Sequence, residues 1–138
     1  MVTTLFNPTP AARDLGYATV DVLRKKITVA DGTAAVVVGA VPAGALVIGG
    51  GVFVITAFNG TTPTINVGHA DATPQAAAFA SALVISALGY IAFDDLAATL
   101  NTKPTVERII TATMSLTAAT TGEAEVIVLV CNPHESYK

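Results

Sequence analysis

Val106, Arg108, Ile110, Ala112, Met114 and Leu116 alternate with Glu107, Ile109, Thr111, Thr113 and Ser115. A period of two places the first set on one face of a strand and the second, more polar set on the other. Ala118-Ala119-Thr120-Thr121-Gly122 then makes a turn. Glu123–Val130 returns, polar at its start and apolar by its end. Two strand-like runs about a Gly-containing loop predict an antiparallel hairpin. The same pattern opens the chain's body. Tyr17–Leu23 and Lys26–Val29 read as strand, Asp31-Gly32 as the tight turn of a hairpin, and Ala34–Val38 as its returning strand.

Other stretches are punctuated rather than periodic. Pro42-Ala43-Gly44 turns the chain into Ala45–Phe58, a long run interrupted by Gly49-Gly50-Gly51. Glycines inside a strand mark a bulge, a bend or a close backbone approach, so this run is one bending strand or two meeting at a corner. Asn59-Gly60 is a further turn, Thr64–Gly68 a short strand, and His69–Gln75 a polar loop. Gln75–Leu88 is ambiguous: its alanines suit a short helix, while Leu83-Val84-Ile85 prefers a strand. Strands of this length separated by turns predict an all-β fold: a single antiparallel sandwich or jelly-roll-like domain of about eight strands spanning 17–131. Residues 1–16 read as an extended arm, because Asn7-Pro8-Thr9-Pro10 removes two amide donors and fixes the backbone. Residues 132–138 form a C-terminal tail.

No Asp, Glu, Lys or Arg lies between Asp31 and Asp71, which raises the question of a membrane span. A span needs about 20 apolar residues in one helix. Ala34–Phe58 is broken twice, at the Pro-Gly turn and at the glycines, and its pieces are β-branched. Ala76–Phe93 contains Ser81, Ser86 and Gly89 and has no basic anchor at either side. Buried strands are the better reading, and no membrane partner is expected.

Composition sharpens this picture. Of the 138 residues 52% are hydrophobic and only 12% charged, about half the usual charged share. Trp is absent, so the apolarity comes from Ala, Val, Ile and Leu. A surface so poor in charge is expected to meet a partner or a second copy. The net charge is −3 and the basic run is just Arg24-Lys25-Lys26. A solvated strand segment explains that run, and no nucleic-acid partner is expected. The single cysteine, Cys131, excludes an intrachain disulfide and reads as a small buried hydrophobe. The N-terminus lacks the pattern of a signal peptide, so synthesis in a cytoplasm is expected.

Candidate chemistry is sparse. His69 stands two residues from Asp71 and reads as an exposed loop histidine, since two donors without a third make a weak metal site. His134 lies in the tail. Asp94 and Asp95, if extended, point to opposite faces and suit a turn or strand end. The three glycines lack the spacing and the lysine of a phosphate loop, and no nucleophile, zinc or calcium motif occurs. No enzyme, cofactor or metal is expected.

Val38-Gly39-Ala40-Val41-Pro42-Ala43-Gly44-Ala45 leads to Val54-Ile55-Thr56-Ala57-Phe58-Asn59, then to Thr64-Ile65-Asn66-Val67-Gly68 with nearby Asp71, and to a strand–Gly–strand ending. This order, over residues 33–130, resembles small β-sandwich virion proteins of tailed bacteriophages, especially capsid decoration or cement proteins. The resemblance implies a homotrimer seated on the outer surface of the capsid over junctions between capsomers. Its partner there would be the major capsid protein, and its role to reinforce the shell. Leu5, Phe6, Pro8 and Pro10 of the arm, with Phe58 and Tyr90, are the candidate interface. The alternative is a carbohydrate- or receptor-binding module of a phage tail or head fibre, for which Tyr17, Tyr90 and Tyr137 would supply part of an aromatic platform.

Overall fold

The computed structural model describes residues 18–71, 73–100 and 104–133. It contains eight strands: β1 (Ala18–Thr28), β2 (Val36–Val41), β3 (Leu46–Thr56), β4 (Thr64–Ala70), β5 (Gln75–Val84), β6 (Gly89–Ala92), β7 (Arg108–Ser115) and β8 (Glu123–Pro133). A 3-10 turn follows β1 at Val29–Asp31, and one helical turn, α1 (Leu96–Thr99), follows β6. Among the described residues no helix is long and apolar enough to cross a membrane.

The strands form two four-stranded sheets, ordered β1-β8-β3-β6 and β2-β7-β4-β5, with every pairing antiparallel. One hydrophobic core draws on both. The first sheet contributes Ile27, Val47, Val52, Val54, Val126 and Val128; the second contributes Val41, Ile65, Val67, Phe79, Ile110 and Met114. The result is the antiparallel β-sandwich that the period-two pattern predicts.

The strand partners differ from those expected. β1 pairs with β8 and β2 pairs with β7, so Asp31-Gly32 turns the chain without making a hairpin. The Thr28 N–H donates to Asp31 Oδ2 (2.8 Å), and Gly32 takes φ 66°. From there the chain passes to the opposite sheet. β7 and β8 likewise lie in different sheets, not side by side. Both bury an apolar row, and facing sheets about 10 Å apart satisfy those rows as well as a hairpin would. Asn59 anchors the crossing: its Oδ1 accepts from the N–H groups of Thr120 (2.6 Å) and Thr121 (3.0 Å), and its Nδ2 donates to Thr120 Oγ1 (2.8 Å). Among the described residues, consecutive strands pair only at β4–β5.

The ambiguous segment is strand. β5 carries a bulge in which Ser81 and Ala82 lie between the partners Ala80↔Val67 and Leu83↔Ile65. Its two orphaned amides are satisfied by side chains: Ser81 N–H donates to Asp94 Oδ1 (3.1 Å) and Ala82 N–H to Asn66 Oδ1 (2.6 Å). The Asp95 N–H donates to the Phe79 carbonyl (3.1 Å), which ties the α1 entry to β5. The Asp94 carboxylate thus serves the backbone, while Asp95 contributes its own N–H. The glycine run lies within one strand, β3, with a register shift between Val47 and Gly49 and no corner.

Candidate functional site

The outward row of the first sheet is read from its register. Val20 and Leu46 flank Cys131, Val22 and Gly49 flank Leu129, and Arg24 and Gly51 flank Ile127. Lys26 and Phe53 flank Glu125, and Phe53 in turn pairs with Tyr90. This face exposes Val20 (59%), Val22 (51%), Phe53 (45%), Ile55 (44%) and Tyr90 (55%). The Tyr90 ring lies over Gly51, where an added Cβ would stand 2.6 Å from Tyr90 Cζ. Only glycine leaves that room for the ring. Charge crosses the face in two exposed ion pairs, Arg24–Glu125 and Lys26–Glu123 (2.8 Å). The Arg24 hydrogen bond holds the Glu125 carboxyl below its ordinary range. Cys131 is half-buried in this row, not in the core as expected, because its position shares the outward parity of Leu129. The corresponding row of β7 and β4 pairs Ser115 with Thr64, Thr113 with Asn66, Thr111 with Gly68 and Ile109 with Ala70, polar at one end and apolar at the other, with Thr111 buried.

Inside the second sheet, the apolar row runs out into charge at one end. The partners Ile65↔Met114, Val67↔Ala112 and His69↔Ile110 continue toward Asp71 and Arg108. The His69 side chain is 4% exposed and that of Asp71 6%. His69 is therefore a buried strand residue and not the exposed loop histidine expected from its Gly/Ala/Asp surroundings. It continues the inward alternation of Ile65 and Val67. Arg108 Nε donates to Asp71 Oδ2 (3.1 Å), and the Thr73 N–H donates to Asp71 Oδ1 (2.8 Å). That backbone bond, with the charge and hydrogen bond of Arg108, outweighs burial and holds the Asp71 carboxyl below its ordinary range. His69 Nδ1 lies 3.2 Å from Asp71 Oδ2 but out of line for a hydrogen bond, and among the described residues it is buried without a partner. Burial, then the Arg108 charge, lowers the His69 pKa, and the opposing pull of Asp71 is weaker. A cleft of about 180 Å³ opens beside the cluster, lined by His69, Gln75, Ala98, Thr99 and Arg108.

The candidate interface residues separate. Leu5, Phe6, Pro8 and Pro10 lie outside the described residues, as do Tyr17, His134 and Tyr137. Tyr90 stands on the apolar sheet face. Phe58 does not: at 2% exposure it is a core residue. The chain bends inward after β3, and the Phe58 N–H donates to the Ile85 carbonyl (3.1 Å). Sequence reasoning missed Phe53 and the His69–Asp71–Arg108 cluster. A signal for the cluster was present, since Arg108 interrupts the apolar face of 106–116 and His69 and Asp71 extend that of Ile65 and Val67.

No protein-family model and no curated protein matches the chain. Solved structures do. One is a chain of the acidic stable capsid structure of Helicobacter pylori bacteriophage KHP30, at TM-score 0.65 and 14% identity, covering 85% of this chain and 90% of that one. Another belongs to the cyanophage Pam1 capsid asymmetric unit, at TM-score 0.62 and 20% identity, covering 92% of this chain and 94% of that one. The fold is that of chains in two phage capsids. At these identities the likeness speaks for the fold, and it spans nearly the whole of each chain.

Proposed function

We propose that the chain is a structural, non-enzymatic component of a phage virion, binding the outer surface of the capsid as a homotrimer and stabilising the shell. The observation that carries this reading is the fold shared over nearly full length with chains of two phage capsid structures. The interleaved strand order β1-β8-β3-β6 over β2-β7-β4-β5 suits a jelly roll, an arrangement common in capsid proteins. The exposed Val20, Val22, Phe53, Ile55 and Tyr90 supply an apolar face for docking on the major capsid protein or a sister copy. A stable contact would bury about 1,600 Å² in total. Stabilisation follows by linkage: a protein that binds the assembled lattice and not its dissociated subunits shifts the equilibrium toward the lattice. The arm, residues 1–16 with Leu5, Phe6, Pro8 and Pro10, is the second proposed contact and raises avidity by tethering.

Light scattering after size exclusion tests the trimer, and co-sedimentation with purified phage heads lacking the protein tests binding. Trimers that bind heads and raise the temperature of shell disruption are expected. Phe53→Asp and deletion of residues 1–12 should each weaken co-sedimentation while leaving the circular dichroism of strands intact. A monomer that ignores the heads overturns the proposal.

A second reading, a carbohydrate-binding module of a fibre, draws on one observation: Phe53 and Tyr90 pair directly and both are exposed. Adjacent aromatic faces suit a sugar ring. Specific hits on a glycan array that vanish in Tyr90→Ala would favour it.

A further inference from the structure

We propose that the end of the sandwich where the inner row turns polar holds a binding site for a single carboxylate group, with Arg108 and His69 as its donors. The site stands apart from the virion reading, and its test needs only the isolated chain.

The cluster has donors without acceptors. Arg108 commits Nε to Asp71 Oδ2 (3.1 Å), while its two Nη groups make no hydrogen bond among the described residues. That end-on pair of N–H edges matches the two oxygens of a carboxylate. His69 is nine-tenths buried and lines the same cleft, and its Nδ1 has no hydrogen bond among the described residues. A buried polar atom left unpaired carries a desolvation cost that a ligand able to complete the network removes. Thr99, also in the lining, already donates its hydroxyl to the Leu96 carbonyl (2.9 Å).

Charge selects the ligand. Among the described residues, the charged groups facing His69 are Asp71 beyond its own strand and Arg108 from β7; β5 presents Gln75 and Phe79, and α1 presents Ala98 and Thr99. Asp71 and Arg108 cancel, and burial with the Arg108 charge keeps His69 neutral. One incoming negative charge gives His69 a second counter-charge. The imidazole then takes up a proton, so that both ring nitrogens are donors and the unpaired Nδ1 gains its acceptor in the ligand. A doubly charged phosphate would exceed what one Arg and one His can balance. Among the described residues no three His, Cys, Asp or Glu side chains gather to hold a metal. A cleft of about 180 Å³ exceeds the ~10–15 Å³ needed for one water and falls short of the ~300 Å³ of pockets for larger ligands. It fits a small carboxylate or one Asp or Glu side chain of a docked protein.

The test is NMR of the His69 imidazole in the full chain, titrated with sodium acetate against sodium chloride at matched ionic strength. A second arm uses a blocked peptide with one Glu. Expected results are a saturable shift with acetate, a raised His69 pKa in its presence, and an affinity that rises as pH falls from about 7.5 to about 5.5, with a slope approaching tenfold per pH unit where one proton is taken up on binding. Arg108→Gln should abolish the response, and Arg108→Lys, which keeps the charge, should weaken it. His69→Asn should bind weakly with no pH dependence, followed through the Arg108 side-chain signals. Tighter binding of the peptide than of acetate assigns the carboxylate to a protein side chain, and the reverse to a small molecule. A response equal to that of chloride, or acetate binding unchanged in a folded Arg108→Gln variant, overturns the proposal.

Discussion

Phe58→Ala separates core from interface at the position where sequence and structure disagree. The side chain is 2% exposed, and its ring lies against Gly122, where any Cβ would overlap it. Removing a fully buried side chain forfeits a transfer free energy of about 2–3 kcal/mol. The cavity left behind raises the cost of a Phe→Ala change to about 3–5 kcal/mol. A domain of this size has a urea m-value of about 2 kcal/mol/M, so the unfolding midpoint should fall by about 2 M. Equilibrium urea unfolding followed by circular dichroism reads this directly. Phe58→Leu, which retains most of the volume, should cost about 1–2 kcal/mol and keeps the series measurable if the alanine variant is barely folded. Tyr90→Ala, more than half exposed, serves as the surface control at about 1 kcal/mol or less. The reasoning fails if Phe58→Ala unfolds within about 1 kcal/mol of the parent chain while losing self-association, the signature of an interface residue.

Other outcomes follow from the same packing and electrostatics. Gly122→Ala should destabilise by about 1–3 kcal/mol, since φ is 153° and the new methyl meets the Phe58 ring; thermal melts check it. Asn59→Ala should cost about 0.5–1.5 kcal/mol by removing the acceptor of the Thr120 and Thr121 amides, which are exposed and can turn to water. Stability should decline as pH falls below about 6.5, the unfolded-state value for His. The folded pKa of His69 is lowered, so the unfolded chain takes up a proton that the folded chain refuses, and acid favours unfolding. Asp71, whose folded pKa is also lowered, adds to the loss below about pH 4. In His69→Gln the urea midpoint should lose its slope near pH 6 and keep the one near pH 4.

Much of this architecture is local in origin. Period two along 106–116 and 123–130 made strands of those segments and decided which side chains face inward, because alternation follows from backbone geometry whatever the partner. The same parity put Arg108 on the buried face and aligned His69 and Asp71 with Ile65 and Val67, so the members of the cluster were legible one by one. The turns at Asp31-Gly32 and Asn59-Gly60 were local too. Tertiary structure alone decided where each turn led. A strand with one apolar face is satisfied by a neighbour in its sheet or by a facing sheet, and the local pattern is the same in both cases. That degeneracy hid the separation of β7 from β8, the pairing of β1 with β8, and the inward bend that buries Phe58. It also hid the meeting of Asp71 with Arg108, 37 positions apart. For Gln75–Val84 local propensity was divided, and the ladder with β4 chose the strand, with Asn66 and Asp94 supplying the acceptors its bulge requires. Hydrogen bonds between distant segments carried the information that no run of ten residues contains.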